Sequence, residues 1–346
     1  MPDSASKQNY RPNTPKISTQ AKISILVCYH QISKPVIAGK YLRSIIVGAA
    51  NMGEKAESII SYLEKASGKK RANSDAQASA PESKSQSALV LRDDVGENIS
   101  ALNPYFCELT AIYWAWKNLD SEYYGLFHYR RVFNLRFMER FARFAQTRTR
   151  VINANLLKIL CGLDDKNIRQ KVAQYDIITT ACINSGKNEL DPLYKNYALA
   201  HPSSDLDTCI EYIKSHYPHM SDALDSALFA KPTHWSIANM FIMRKDLFFE
   251  YCEWLFSVLF GVQDKIPYKS YDKYQARVFG FLAERLFNVW LEYKRVQNPE
   301  LRFGYAPLLQ MIKDNPIFGF STSGEHKRLF IFGLRVWKSK IQNKSA

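Results

Sequence analysis

Four groups of side chains in this 346-residue chain could do chemistry. The apolar, β-rich stretch from Tyr123 to Tyr129 runs straight into Arg130 and Arg131. A guanidinium stays charged and pairs with phosphate oxygens two at a time, so two arginines at a strand end can hold an anion. Side chains alternate along an extended segment, so at least one of the two is expected to point away. Both standing in solvent is the competing reading. His128 could bond a ligand hydroxyl or be satisfied in the core. Asp93-Asp94, followed by Gly96 and Asn98, could hold a hard cation through oxygen. The same residues are also ordinary turn chemistry.

Carboxylates that could move a proton lie further on. Glu284 stands on an apolar stretch from Tyr274 to Tyr293 with helical spacing, and partial burial raises a carboxylate's pKa toward that of a useful base. Arg277 lies two turns earlier on the same face, placed to order Glu284 or to bind phosphate; a structural ion pair is equally open. Arg285 is adjacent, and neighbours in a helix do not share a face. Asp272 and Asp191 are alternative bases. Asn239 sits in an apolar, strand-like run, where its amide needs a partner from a ligand or the backbone. His234, five residues before it, would face the other way.

The elements that must position these groups alternate between strand and helix. Lys22–Tyr29, Tyr41–Val47, Tyr123–Tyr129, Tyr175–Thr180 and Trp235–Met243 read as strands. Glu54–Leu63, Asp205–Ser215, Ser221–Phe229, Asp246–Phe260 and Tyr274–Tyr293 read as helices. Asn103-Pro104 reads as the cap and first turn of a helix over Tyr105–Asn118. Within it Trp114 and Trp116 fall on different faces, Trp116 on the apolar stripe. The order predicts an α/β domain with a mostly parallel sheet flanked by helices. It spans 21–300, after a polar tail at 1–20 and around a Ser/Ala/Lys/Gln-rich insertion at 67–88 that reads as disordered.

The net charge of +14 suits nucleic acid, an anionic membrane or phosphorylated small molecules. No zinc-finger spacing or RNP-type motif is present, so no nucleic-acid partner is expected. Six cysteines without CxxC spacing argue against structural zinc and a disulfide framework, and for a reducing compartment. No apolar leader is visible, and no run reaches the ~18 residues of a membrane span. Two segments read as basic amphipathic helices: Leu135–Gln146, with Arg136, Arg140 and Arg143, and the extension at 301–346, with Phe330, Leu334, Trp337 and Ile341 on one face. Residues 327–344 are therefore expected to meet an anionic membrane surface.

Three segments carry a resemblance: Asp93–Thr110 continued by Trp114–Asn118, Gly125–Arg131, and Asn239–Met243. With Arg277–Leu286 they resemble, in order, a bacterial exopolysaccharide and O-antigen biosynthesis family long filed as a domain of unknown function. Its members are linked to galactofuranosyl transfer. The family's first strand leads into a His-Lys-Pro-like loop, which here reads Tyr29-His30-Gln-Ile-Ser-Lys34-Pro35.

The resemblance implies a GT-A-like nucleotide-sugar-binding domain in an inverting hexosyltransferase. The donor is a UDP-sugar, galactofuranose or galactose, and the acceptor a lipid-linked surface glycan. The enzyme is expected in the cytoplasm, peripheral at the inner face of the membrane. Asp93, Asp94, Asn98, His128, Arg130, Arg131, Asn239 and Arg277 are the expected donor-binding residues, with Glu284 or Asp272 as base. Many such enzymes hold the diphosphate through a metal on Asp-x-Asp. Arginines where the acids would stand imply metal independence, with Mn²⁺ or Mg²⁺ on Asp93-Asp94 as the alternative. A non-catalytic glycan-binding or scaffold protein, and a lipid phosphotransferase, are the competing classes.

Overall fold

The computed structural model describes residues 21–67, 90–138, 146–149, 153–180, 182–183, 191–231, 234–311, 318–323, 326–331 and 334–340. The tail at 1–20 and nearly all of the insertion lie outside them. Strands β1 (Ile23–Tyr29), β2 (Leu42–Ile46), β3 (Val90–Arg92) and β4 (Tyr123–His128) come first. Then come β5 (Arg131–Phe133), β6 (Gln146–Thr149), β7 (Ile177–Thr180), the short β8 (Cys182–Ile183) and β9 (His234–Trp235), and β10 (Phe241–Arg244). The last are β11 (Phe303–Ala306), β12 (Leu308–Met311), β13 (Phe318–Ser323), β14 (His326–Ile331) and β15 (Leu334–Lys340).

The central part of the sheet runs β3-β2-β1-β4-β10-β7-β11, and only β10 is antiparallel to its neighbours. Every residue of β1 is buried. Leu26 and Cys28 enter one core, while Ile23, Ile25, Val27 and Tyr29 enter the other. Burial on both faces is why this strand reads as an unbroken apolar run and not an alternating one. Helices α1 (Glu54–Ala66), α2 (Asn103–Phe106) and α3 (Leu109–Asn118) precede β4. Helices α4 (Ala154–Cys161), α5 (Asp165–Val172), α6 (Leu193–Ala198), α7 (Ser203–His216) and α8 (Ser221–Phe229) follow, then the long α9 (Lys245–Gln263) and α10 (Val278–Gln297). The larger core includes α2, α3, α9 and α10 on one face of the sheet; α1, α4 and α5 cover the other. This is the mostly parallel, helix-flanked sheet expected from the sequence.

Four local expectations need correction. The helix read across Tyr105–Asn118 is two helices, broken where Cys107 takes φ 52°. Asn103 does not cap it: its amide donates to the Cys107 carbonyl (2.7 Å) and to Thr110 Oγ1 (3.2 Å), so it holds the break together. Trp114 is the fully buried indole of this segment, donating to the Val95 carbonyl, whereas Trp116 is partly buried against Phe256. The strand read over Trp235–Met243 is interrupted by a turn in which Ala238 (φ 67°) and Asn239 (φ 49°) are both left-handed.

The C-terminal stretch read as a helix is instead the antiparallel ribbon β13-β14-β15. It joins the central sheet through β15-β6-β12-β5. Within the other expected helix, Leu135–Met138 form a turn and Gln146 opens β6; 139–145 lie outside the described residues. In the ribbon, available strand edges override a helical spacing of aromatics.

Candidate active site

A cleft of about 790 Å³ opens where β1, β2 and β4 end. One side comes from the strand ends: Cys28, His30, Val47 and His128–Arg131. Asn103, Pro104, Cys107 and Glu108 come from the broken helix, and Arg277, Gly280, Phe281, Glu284 and Arg285 from the start of α10. Ligands of open α/β sheets bind outside the carboxyl ends of the strands. A slightly larger cleft, about 900 Å³, lies at the opposite edge by Lys22, Arg43 and Asp120. It holds no such convergence of Arg, His and Glu, so the cleft at the strand ends is the candidate site.

The left-handed turn at Ala238–Asn239 organises its floor. His128 Nε2 donates to the Ala238 carbonyl (2.9 Å), and the Ala238 amide donates to Glu284 Oε1 (3.0 Å). Asn239 Nδ2 donates to Glu108 Oε1 (2.8 Å) and to the Gly280 carbonyl (3.1 Å). One strained dipeptide thereby fixes the histidine and both carboxylates, the kind of place where strain is kept for function. Burial lowers the His128 pKa; the charge of Glu108 opposes the shift and the nearby arginines reinforce it. Burial raises the Glu284 pKa; Arg285 opposes the shift and the charge of Glu108 reinforces it.

Five cationic side chains line the cleft (Arg130, Arg131, Lys273, Arg277 and Arg285) against two carboxylates, Glu108 and Glu284. Arg285 Nη1 bonds Glu284 Oε2 (3.0 Å) although the two are adjacent; its long side chain wraps back to reach it, which the helix-face argument missed. Arg277 does not order Glu284: its Nε lies 3.3 Å from Cys107 Sγ and its guanidinium covers the Phe281 ring. Arg131 is largely desolvated, and its Nε is buried with no partner among the described residues. A buried donor without an acceptor is uncommon in a folded protein, and this one belongs to a guanidinium that lines the cleft.

The remaining expected residues lie outside this convergence. Asp93 is fully buried and accepts from the amides of Gly48 (2.7 Å) and Ala49 (3.0 Å) and from Ser100 Oγ. It anchors the loop after β2 from beneath. Asp94 forms a two-point pair with Arg92 (2.8 and 2.9 Å). Asn98 bonds Gly96 and Ser100 within its own turn. Asp272 caps the turn before α10 through the amides of Tyr274 and Gln275, and Asp191 pairs with Lys195.

A metal does not fit Asp93-Asp94, whose carboxylates are already engaged, and no three His, Cys, Asp or Glu side chains gather as ligands among the described residues. Asp93→Ala would leave buried donors unpaired, at ~1–3 kcal/mol each. Urea unfolding is expected to show a loss of about 3–5 kcal/mol. Sequence reading passed over Glu108 and His201. Glu108 sat within a stretch read as one amphipathic helix, and His201 carries no local signal.

The chain is thus an α/β domain with a mostly parallel, helix-flanked sheet, a basic cleft over its strand ends and two carboxylates at the centre of that cleft. Residues 24–295 match the family described as Domain of unknown function (DUF4422), and the chain belongs to that family. The solved apo structure of the WbbM bifunctional glycosyltransferase is similar, with a TM-score of 0.66 and 26% identity. The similarity covers 87% of this chain and 48% of that one, so the chain spans about half the length of the bifunctional protein. No protein with a curated description matches significantly.

Proposed function

We propose that the chain is a metal-independent, inverting glycosyltransferase that moves galactofuranose or galactose from UDP to a lipid-linked surface glycan. The observation that carries this reading is the concentration of cations at the strand ends, Arg130 and Arg131 with Lys273, Arg277 and Arg285, in a cleft whose other wall presents Glu284. The similarity to a bifunctional glycosyltransferase supports it. The nucleotide lies over the ends of β1 and β2, and Arg130 and Arg131 bind the diphosphate. An acceptor hydroxyl attacks the anomeric carbon as the bond from that carbon to the diphosphate oxygen breaks. The electron pair leaves on UDP, and Glu284 takes the hydroxyl proton. Incubation with UDP-galactofuranose, UDP-galactose and a lipid-linked acceptor tests this through UDP release. Absence of both release and nucleotide binding would favour a non-catalytic glycan-binding protein.

The enzyme works in the cytoplasm, peripheral at the inner face of the membrane, with residues 327–344 toward the anionic lipid. Support for this comes from the ribbon. Phe320, Leu329 and Trp337 are in register across one face, with Phe320 and Trp337 exposed and Lys327 Nζ 4.6 Å from the Phe320 ring centre. Arg328 and Lys338 pair on the other face. No helix among the described residues is long and apolar enough to cross a membrane. At ~1 kcal/mol per basic residue near the surface, K327E on the aromatic face is expected to weaken binding to phosphatidylglycerol vesicles by at least about fivefold. Unchanged vesicle binding would exclude this orientation.

A further inference from the structure

The cleft wall facing away from the sheet is aromatic, and the donor reading leaves it unused. His201, in the turn between α6 and α7, stacks on Phe281 with ring centres 4.1 Å apart and planes 24° apart. The Tyr274 ring lies 5.3 Å from Phe281 and 6.0 Å from His201, and it is 55% exposed at the rim. The exposed Tyr274 ring, beside the stacked His201–Phe281 pair, offers a flat apolar surface where solvent meets the cleft.

The polar edge of this wall has a fixed sense. His201 Nδ1 is 2.8 Å from Gln275 Oε1, and Gln275 Nε2 donates to the Ala200 carbonyl at 2.8 Å. The amide orientation therefore makes Oε1 the acceptor, and Nδ1 carries the proton. Burial lowers the His201 pKa, so the ring is neutral and Nε2 is left as a hydrogen-bond acceptor. On α10, Phe281 lies four residues after Arg277 and three before Glu284. These residues share a face, and Phe281 is about 4.5 Å of helix rise from the carboxylate-bearing residue.

We propose that Tyr274 and His201, backed by Phe281, form the acceptor subsite: the exposed Tyr274 ring holds a sugar by its apolar C–H face, and His201 Nε2 accepts a hydrogen bond from one of its hydroxyls. A pyranose or furanose has the matching shape, an apolar face bordered by hydroxyls. Stacked here, it presents its next hydroxyl toward Glu284, while the nucleotide occupies the opposite wall. The subsite rests on the transferase reading for its role as acceptor site, and on the wall alone for its ability to bind sugar.

The test separates the two. The octyl glycosides of galactose, glucose and N-acetylglucosamine are titrated into the UDP-loaded protein by ligand-observed NMR, and UDP binding is measured by calorimetry. Y274A, which removes an exposed ring, is expected to weaken the best-bound glycoside about fivefold to tenfold, the scale of one aromatic contact. Its UDP affinity and unfolding midpoint stay at the wild-type values. Y274F is expected to retain glycoside binding, and H201A to weaken it without changing UDP affinity. Equal loss of UDP and glycoside in Y274A, unchanged glycoside affinity in Y274A, or no glycoside binding by the wild type would each overturn the subsite. A wild type that binds glycoside through Tyr274 but binds no UDP would uphold the wall and overturn the transferase.

Discussion

Glu284→Gln is expected to lower kcat by about 10²- to 10⁴-fold, the usual contribution of a positioned general base. Glutamine keeps an oxygen for the Ala238 amide, so the turn that holds His128 persists and nucleotide affinity stays near wild type. In the proposed mechanism the base works as the carboxylate. Burial raises its folded pKa, so kcat/KM should fall as pH drops through a midpoint above the ordinary glutamate value of ~4.3. Removing the negative charge of Glu108, as in Glu108→Gln, should shift that midpoint downward, because Glu108 adds to the upward push. A kcat within fivefold of wild type in Glu284→Gln would move the base elsewhere in the cleft, with Glu108 the next carboxylate to test.

Arg131→Ala is expected to reduce kcat/KM by about 10²- to 10³-fold, the scale of losing one preorganised donor to developing charge. Its surroundings make it the stronger member of the pair. Arg131 is largely desolvated, its Nε without a partner among the described residues, whereas Arg130 is exposed and covers the Tyr129 ring. Charge in a desolvated site is screened less, so Arg130→Ala should cost less, and its effect should shrink further in high salt. Arg131→Lys is not expected to restore activity, since an ammonium lacks the planar fork. Steady-state kinetics with the preferred donor at low and high salt check the order. Equal losses, or a larger loss in Arg130→Ala, would contradict it.

Much of the frame was legible because it rests on local pattern. β1, β2 and β4 announce themselves as apolar runs buried on both faces, and α9 and α10 as long apolar-periodic stretches. The candidate cleft was legible only in part. His128, Arg130, Arg131, Arg277 and Glu284 do converge. Asp93 and Asp94 were prominent by composition, yet their carboxylates serve the loop after β2 and Arg92. The dipeptide that ties the site together gave no warning, because alanine has no sequence mark for a φ of 67°. Cys107 hides its helix break in the same way. His201 and Tyr274 are more than seventy residues apart and meet only through the packing of α10. In the C-terminal ribbon, aromatic spacing suited a helix, but β6 supplied an edge that paired β15 instead.

The most direct test of the central claim, a metal-free arginine site for the diphosphate, is calorimetric titration of the wild-type protein with UDP in EDTA. The account predicts saturable binding in EDTA, unchanged by added Mn²⁺ and lost in Arg131→Ala. Binding that vanishes in EDTA, returns with Mn²⁺ and survives Arg131→Ala would contradict it.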